Sequence, residues 1–344
     1  MIRVLVAEDS AVTREYLTYV LSEDRGIEVV GTARDGLQAV EQTERLKPDV
    51  IVMDVHMPRM DGFEATRQIM ERVPTPIVIV SSSISREEMA MTFEALKAGA
   101  LTLLDKPGGP DHPNQTESAR RLRETVKLMA EVKVVRRWPR RARPVAPAPP
   151  PARLERNTRI VAIGASTGGP QAVAEILSTL PRDLGVPILV VQHIAPGFTA
   201  GLVEWLGQGT RLAVKVAEPG ESIRPGTVYL APDGVQMGIT RERQIRLTRE
   251  QTEDGFHPSA SYLFQSVAEV YGRSAVGILL TGMGRDGAKG LLRLRQAGGV
   301  TIAQDEETSV IFGMPAEAIR LGAAEYVLSP DQISGMIHSL AMHS

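Results

Sequence analysis

The sequence predicts an α/β protein: an N-terminal domain on a five-stranded parallel sheet, then a C-terminal doubly wound, mostly parallel α/β domain. Three observations predict it. At 344 residues the chain is too long for one ordinary core and suits two. Short β-branched runs alternate with helical patterns through both halves, the signature of parallel sheets covered on both faces by helices. And composition shifts sharply once, where Val134 to Asn157 reads VVRRWPRRARPVAPAPPPARLERN, rich in Pro, Ala and Arg and nearly free of acids.

In order, the strands expected in the first half are Arg3–Val6, Glu28–Ala33, Val50–Met53, Ile77–Ser81 and Leu101–Leu104. Helical spacing falls between them, as at Val12, Tyr16 and Val20, and again at Phe63, Ile69 and Val73. This sets a first domain at residues 1–125 with a helical tail to about 133. Residues 134–157 form the linker: Pro-Pro runs favour stiff polyproline II, and like charges repel. A solvated spacer is the favoured reading there, although Arg136, Arg137, Arg140, Arg141 and Arg143 leave contact with an acidic surface open.

The second domain, residues 158–344, resumes the alternation with strands at Arg159–Ile163, Ile188–Gln192, Val276–Leu280 and Val300–Ala303. Between Leu212 and Thr248 the segments shorten around Pro225-Gly226 and Asp233-Gly234, which predicts an antiparallel insertion or mixed edge.

Apolar residues at 43% and charged residues at 23% describe an ordinary globular chain, and a net charge of −2 gives no global reason to expect nucleic acid or a membrane surface as partner. With no cysteine, disulfide and thiol chemistry are excluded. No stretch approaches the roughly 18 apolar residues of a membrane helix, and the chain opens on an apolar strand without a leader pattern. A cytoplasmic monomer is expected.

Functional groups of open parallel sheets collect where strands end at their carboxyl edge. In the first half those ends carry Glu8 and Asp9, Asp54, Ser81, and Lys106 followed by Pro107. Converging carboxylates repel, so the site calls for a hard divalent cation such as Mg²⁺. Lys106 and the Ser81 hydroxyl suit phosphate oxygens. Asp54 can accept a phosphoryl group once its charge is offset. Capping is the competing role for such acids, as for Asp9 ahead of Ala11.

These residues, with the turn HMPRMDG after Asp54, resemble the response-regulator receiver domain over about residues 1–125. The resemblance implies a flavodoxin-like fold and phosphorylation of Asp54 by a histidine kinase. It also implies a Mg²⁺ site of Asp9, Asp54 and the His56 carbonyl, with Glu8 acting through water. Leu103 stands where many receivers place an aromatic switch residue, so the relay of phosphorylation departs from that pattern.

In the second half the strand ending at Ile163 runs into Gly164-Ala165-Ser166-Thr167-Gly168-Gly169-Pro170 and then a helical pattern. A serine among small residues at a strand-to-helix turn is what a nucleophile elbow requires, and the helix N-terminus offers amides to an oxyanion. The same turn weakly mimics a dinucleotide fingerprint, but the next strand ends in Gln192-His193 rather than an acid. Asp286 follows a third strand, so Ser166, His193 and Asp286 are expected at one rim as a triad, with helix capping the alternative for Asp286. The chain order Ser…His…Asp differs from the Ser…Asp…His of α/β-hydrolases.

GASTGGP, VQHI and LTGMGRDG, behind a receiver, resemble the chemotaxis protein-glutamate methylesterases, the CheB family. The resemblance implies Ser166 as nucleophile, His193 as general base then acid, Asp286 as orienting carboxylate, and the Thr167 and Met283 amides as oxyanion donors. It implies the methyl esters of methylated chemoreceptors as substrates, glutamine deamidation at the same site, and no cofactor in this domain. One run departs: where the family often shows Arg-Pro-Ser-Val-Asp, this chain has His257-Pro258-Ser259-Ala260-Ser261. A response regulator with a non-catalytic, partner-binding output domain is the alternative.

Overall fold

The computed structural model describes residues 1–81, 86–108, 115–132, 134, 158–252 and 255–341, with side chains for all of these except 86–91. Two compact units divide the chain, Met1–Arg143 and Pro144–Ser344. Of the expected linker only Val134 lies within the described residues.

The first unit runs β1 (Ile2–Ala7), α1 (Ala11–Ser22), β2 (Ile27–Ala33), α2 (Gly36–Leu46), β3 (Val50–Asp54), α3 (Gly62–Arg72), β4 (Ile77–Ser81), α4 (Arg86–Ala98), β5 (Thr102–Asp105) and α5 (Gln115–Ala130). The strands form one parallel sheet in the order β2-β1-β3-β4-β5. Strands β3 and β4, reading VIVMD and IVIVS, are buried along their whole length, which explains continuous apolar runs rather than alternation. Three helices begin on side-chain caps: Ser10, Asp35 and Asp61 accept from the amides of Thr13, Gln38 and Glu64. Ser10 therefore takes the capping role weighed for Asp9, and the Asp9 carboxylate is left to the strand-end site.

The second unit runs β6 (Ile160–Ala165), α6 (Gly169–Ser178), β7 (Ile188–Gln192), α7 (Thr199–Gly209), β8 (Ala213–Val216), β9 (Thr227–Leu230), β10 (Gln236–Ile239), β11 (Ile245–Thr248), α8 (Ala260–Tyr271), β12 (Ala275–Leu279), α9 (Ala288–Gln296), β13 (Val300–Gln304), α10 (Met314–Arg320), β14 (Tyr326–Leu328) and α11 (Pro330–Ala341). Its main sheet has the order β14-β13-β12-β6-β7-β9-β8, and every pairing in it is parallel.

The antiparallel expectation for Leu212–Thr248 is met in part and elsewhere than at the edge. Strands β8 and β9 extend the parallel sheet, and Pro225-Gly226 sits at the entry to β9 rather than in a hairpin. Asp233-Gly234 carries the chain off the sheet, and the antiparallel pair is β10–β11, turning through Thr240–Arg243. That hairpin packs on α8, where the buried Ser266 hydroxyl accepts from the Ile239 amide at 2.7 Å. Behind it lies a core that includes Phe264, Leu263, Leu279, Leu291 and Met237, each fully buried and each stabilising by roughly 1.5–3 kcal/mol.

In both sheets the strand order reverses direction once, between β1 and β3 and between β12 and β6. Crevices open at the carboxyl ends of strands flanking such a reversal. Among the described residues no helix is long and apolar enough to cross a membrane.

Candidate functional site

At the first reversal, β1 ends into Glu8 and Asp9 and β3 ends on Asp54. Glu8 and Asp54 are buried, Asp9 is exposed, and ligand oxygens of all three lie within 4.8 Å of one another. Lys106, just past β5, reaches both buried acids, with Nζ 2.9 Å from Glu8 Oε2 and 3.0 Å from Asp54 Oδ2.

Burial, and for Glu8 the neighbouring Asp54 charge, pushes both carboxyls above their ordinary range despite the lysine. Burial works to lower Lys106, but Asp54 and Glu8 outweigh it and hold the ammonium charged. One ammonium facing three carboxylates leaves negative charge uncompensated. An all-oxygen donor set with that surplus fits a hard divalent cation. His56, exposed, follows in the loop after β3 and hydrogen-bonds Asp54 through its backbone. Ser81 closes β4 beside β3, is buried, and accepts the Lys106 amide on its carbonyl at 3.0 Å. Leu103 is buried in β5.

At the second reversal, β6 delivers Ser166, β7 delivers His193, and the loop after β12 delivers Asp286. Backbone bonds lock the three turns: Ser166 N donates to Thr281 O at 3.1 Å and His193 N to Ala165 O at 2.9 Å. The buried Gln192 amide donates to the carbonyls of both Ser166 and His193 at 2.8 Å, tying the serine turn to the histidine turn. Close approach requires a glycine at 282, because a Cβ there would lie 2.7 Å from Ser166 Cβ and 2.4 Å from Met314 Sδ. The Thr281 hydroxyl donates to Thr167 O at 2.9 Å and accepts from Ile311 N at 2.9 Å, fixing the far wall.

His193 and Asp286 are joined directly, Nε2 to Oδ2 at 3.0 Å, with Asp286 fully buried. Asp286 does not cap its own helix, since the N-cap of α9 is Gly287 and no side chain caps that end. It faces the N-terminus of α8 instead, where Oδ2 accepts from Ala260 N at 2.7 Å and Oδ1 from Ser261 N at 3.1 Å. The Ser259 hydroxyl adds a third bond at 2.9 Å. Burial alone would raise this carboxyl. The His193 bond and charge, with those helix-end amides, outweigh it and hold Asp286 far below the usual carboxylate range.

Because Nε2 faces the acid, Nδ1 is the ring nitrogen left to exchange a proton with a hydroxyl. Among the described residues Ser166 Oγ makes no hydrogen bond to His193. Such bonds are often long without substrate and tighten in the complex. Among the described residues the amides of Thr167 and Met283 donate to no carbonyl, and the Met283 side chain is exposed.

Sequence reasoning passed over several residues that build this site. The departing run His257–Ser261 supplies Ser259, and the Ser261 hydroxyl accepts the Gly287 amide at 2.8 Å, bracing the Asp286 turn. Serine ahead of an apolar helical run was a legible cap signal, but its second bond to Asp286 was not. Asp233 binds the loop after His193 through Gly197 N and Thr199 Oγ1. The Phe256 ring stacks on His193, centroids 4.4 Å apart and planes 8° from parallel.

Two family models match the chain: CheB methylesterase over residues 161–337 and response regulator receiver domain over residues 4–115. The chain is 52% identical to the protein-glutamate methylesterase/protein-glutamine glutaminase 4 of Geobacter metallireducens, covering 99% of each chain. It is 50% identical to protein-glutamate methylesterase/protein-glutamine glutaminase 1 of Syntrophus aciditrophicus, again over 99% of each. The crystal structure of the Thermotoga maritima CheB methylesterase catalytic domain matches at 39% identity and a TM-score of 0.52, covering 53% of this chain and 98% of that one.

Proposed function

Since the chain belongs to the CheB methylesterase family and carries a receiver domain, we propose that it is a phosphorylation-regulated protein-glutamate methylesterase and protein-glutamine glutaminase. Methylated chemoreceptors are its substrates, a chemosensory histidine kinase its phosphoryl donor, and the cytoplasm its place of action. The observation that carries the catalytic reading is the buried His193–Asp286 pair at 3.0 Å, beside the Ser166 turn at the sheet's reversal.

Ser166 Oγ attacks the carbonyl carbon of a γ-glutamyl methyl ester while His193 Nδ1 takes the hydroxyl proton. Asp286, ionised over a wide pH range, stabilises the imidazolium and holds its ring. The Thr167 and Met283 amides stabilise the oxyanion, each such donor being worth about 10²–10³ in rate. Collapse breaks the C–O bond, and methanol leaves with the proton from His193. Water, deprotonated by His193, then cleaves the acyl-serine, restoring Ser166 and releasing a glutamate carboxylate. With glutamine as substrate the leaving group is ammonia and the remaining steps are the same.

In the receiver domain Asp54 is the phosphoacceptor. Glu8, Asp9, Asp54 and the His56 carbonyl would hold Mg²⁺, which when bound offsets charge on the phosphoryl oxygens. Lys106, already 3.0 Å from Asp54, and the Ser81 hydroxyl bind those oxygens after transfer.

The test is methanol release from a methylated receptor fragment. Ser166→Ala is expected to abolish it while leaving Asp54 phosphorylation intact; a fully active Ser166→Ala chain would overturn the triad.

A further inference from the structure

Phe256 is exposed at 41%, whereas Phe93, Phe198 and Phe264 are each fully buried. An exposed benzyl ring gains little from burial, so what holds this one in place is informative. Its face lies on the His193 imidazole, 4.4 Å between centroids and 8° from parallel. Its carbonyl accepts from Gln236 Nε2 at 2.7 Å, and Gln236, at the start of β10, is fully buried. The other end of the same side chain, Oε1, accepts the Ser259 amide at 2.8 Å. Ser259 in turn donates its hydroxyl to Asp286 Oδ1 at 2.9 Å. One buried glutamine thus locates both the residue stacked on the face of His193 and a residue that fixes the acid at its edge.

We propose that Phe256 is a positioning residue for His193: it holds the imidazole plane by stacking, so that Nδ1 stays aimed at the Ser166 hydroxyl. The proposal rests on the triad reading above. Among the described residues Nε2···Oδ2 is the ring's one hydrogen bond, which leaves the imidazole some freedom to turn about Cβ–Cγ, and a parallel aromatic face restricts that rotation. The same face attracts the imidazolium that forms when His193 takes the serine proton, so the stack strengthens during the reaction rather than in the resting enzyme. Asp286 is the charged group hydrogen-bonded to the ring, and the link from Phe256 towards it runs through the Phe256 backbone carbonyl, which a side-chain substitution retains. Pocket filling alone would need only an apolar side chain here; positioning by a π-face needs an aromatic one.

The experiment compares Phe256→Leu and Phe256→Tyr in the full chain, measuring kcat and KM for methanol release from a methylated receptor fragment, with Ser166→Ala as reference. Phe256→Leu is expected to lower kcat by about tenfold with KM within about twofold, and Phe256→Tyr to restore kcat, with thermal midpoints of both variants unchanged. Wild-type kcat in Phe256→Leu would overturn the proposal. So would a raised KM at unchanged kcat, which marks a substrate contact, or an equal loss in both variants. Activity surviving in Ser166→Ala instead rejects the triad itself, so the two failures are distinguishable.

Discussion

At the scale of single residues, the Asp286 carboxylate is heavily bonded, receiving His193, the Ser259 hydroxyl and the Ala260, Ser261 and Gly287 amides while fully buried. Replacing it by Asn removes the charge and sets one face of the side chain against donors. Asp286→Asn is expected to slow methanol release by roughly 10³–10⁴-fold, because the imidazole tautomer is no longer fixed, and to cost about 2–4 kcal/mol of stability near neutral pH. The pH dependence of that cost has a definite sign. The folded protein holds Asp286 below its unfolded value of about 3.9, so the unfolded state binds the extra proton first. The stability Asp286 contributes is complete above about pH 5 and is lost as the pH falls through the depressed folded value. The difference in urea midpoint between wild type and Asp286→Asn should therefore shrink on acidification; a difference constant from pH 7 to pH 2 would contradict it. Single residues were also where the sequence was least legible. Ser166, His193 and Asp286 stood out because each follows a strand. Ser259, Gln192 and Phe256 did not, since their work depends on neighbours far away in the chain.

At the scale of elements, the strand ends carry the sites, and these were readable because β-branched runs followed by Gly or polar turns mark the carboxyl edge of a parallel sheet. What could not be read was pairing. Strands β8 and β9 are too short to reveal whether they extend a sheet or fold into a hairpin, and the short β14, three residues at the far edge, gave no periodic signal. Nor did periodicity report how closely helices α8 and α9 approach. A Cβ at Gly290, in α9, would meet the backbone of Ser261 in α8 at 2.5–3.0 Å. Gly290→Ala must push α8 away, and α8 begins with the amides that hold Asp286. This substitution is expected to destabilise the unit by about 1–3 kcal/mol and to reduce hydrolysis with it. Gly335→Ala, in α11 with nothing within 4 Å, is expected to stabilise by about 0.5–1 kcal/mol through helix propensity alone. Equal thermal shifts in the two variants would contradict the close-packing account.

At the scale of the whole molecule, two units with separate cores each place a polar site at the reversal of their own sheet. In the proposed function their chemistries are complementary: a phosphoryl group accepted on Asp54 in one, an acyl group transferred through Ser166 in the other. Asp54→Asn is expected to abolish Mg²⁺-dependent phosphoryl uptake and any acceleration of methanol release by a phosphoryl donor, while leaving unstimulated hydrolysis within about twofold of wild type. Stimulation that persists in Asp54→Asn, or that survives chelation of divalent cations, would detach regulation from this site. In the proposed mechanism Ser166 is an activated nucleophile because His193 serves it as base. A serine-directed fluorophosphonate reads this most directly, with the labelled residue located by peptide mass spectrometry. A single phosphonate on Ser166 is expected in the wild-type chain, with labelling slowed at least about 10²-fold in His193→Ala. Label on another residue, or equal labelling rates in the two proteins, would contradict it.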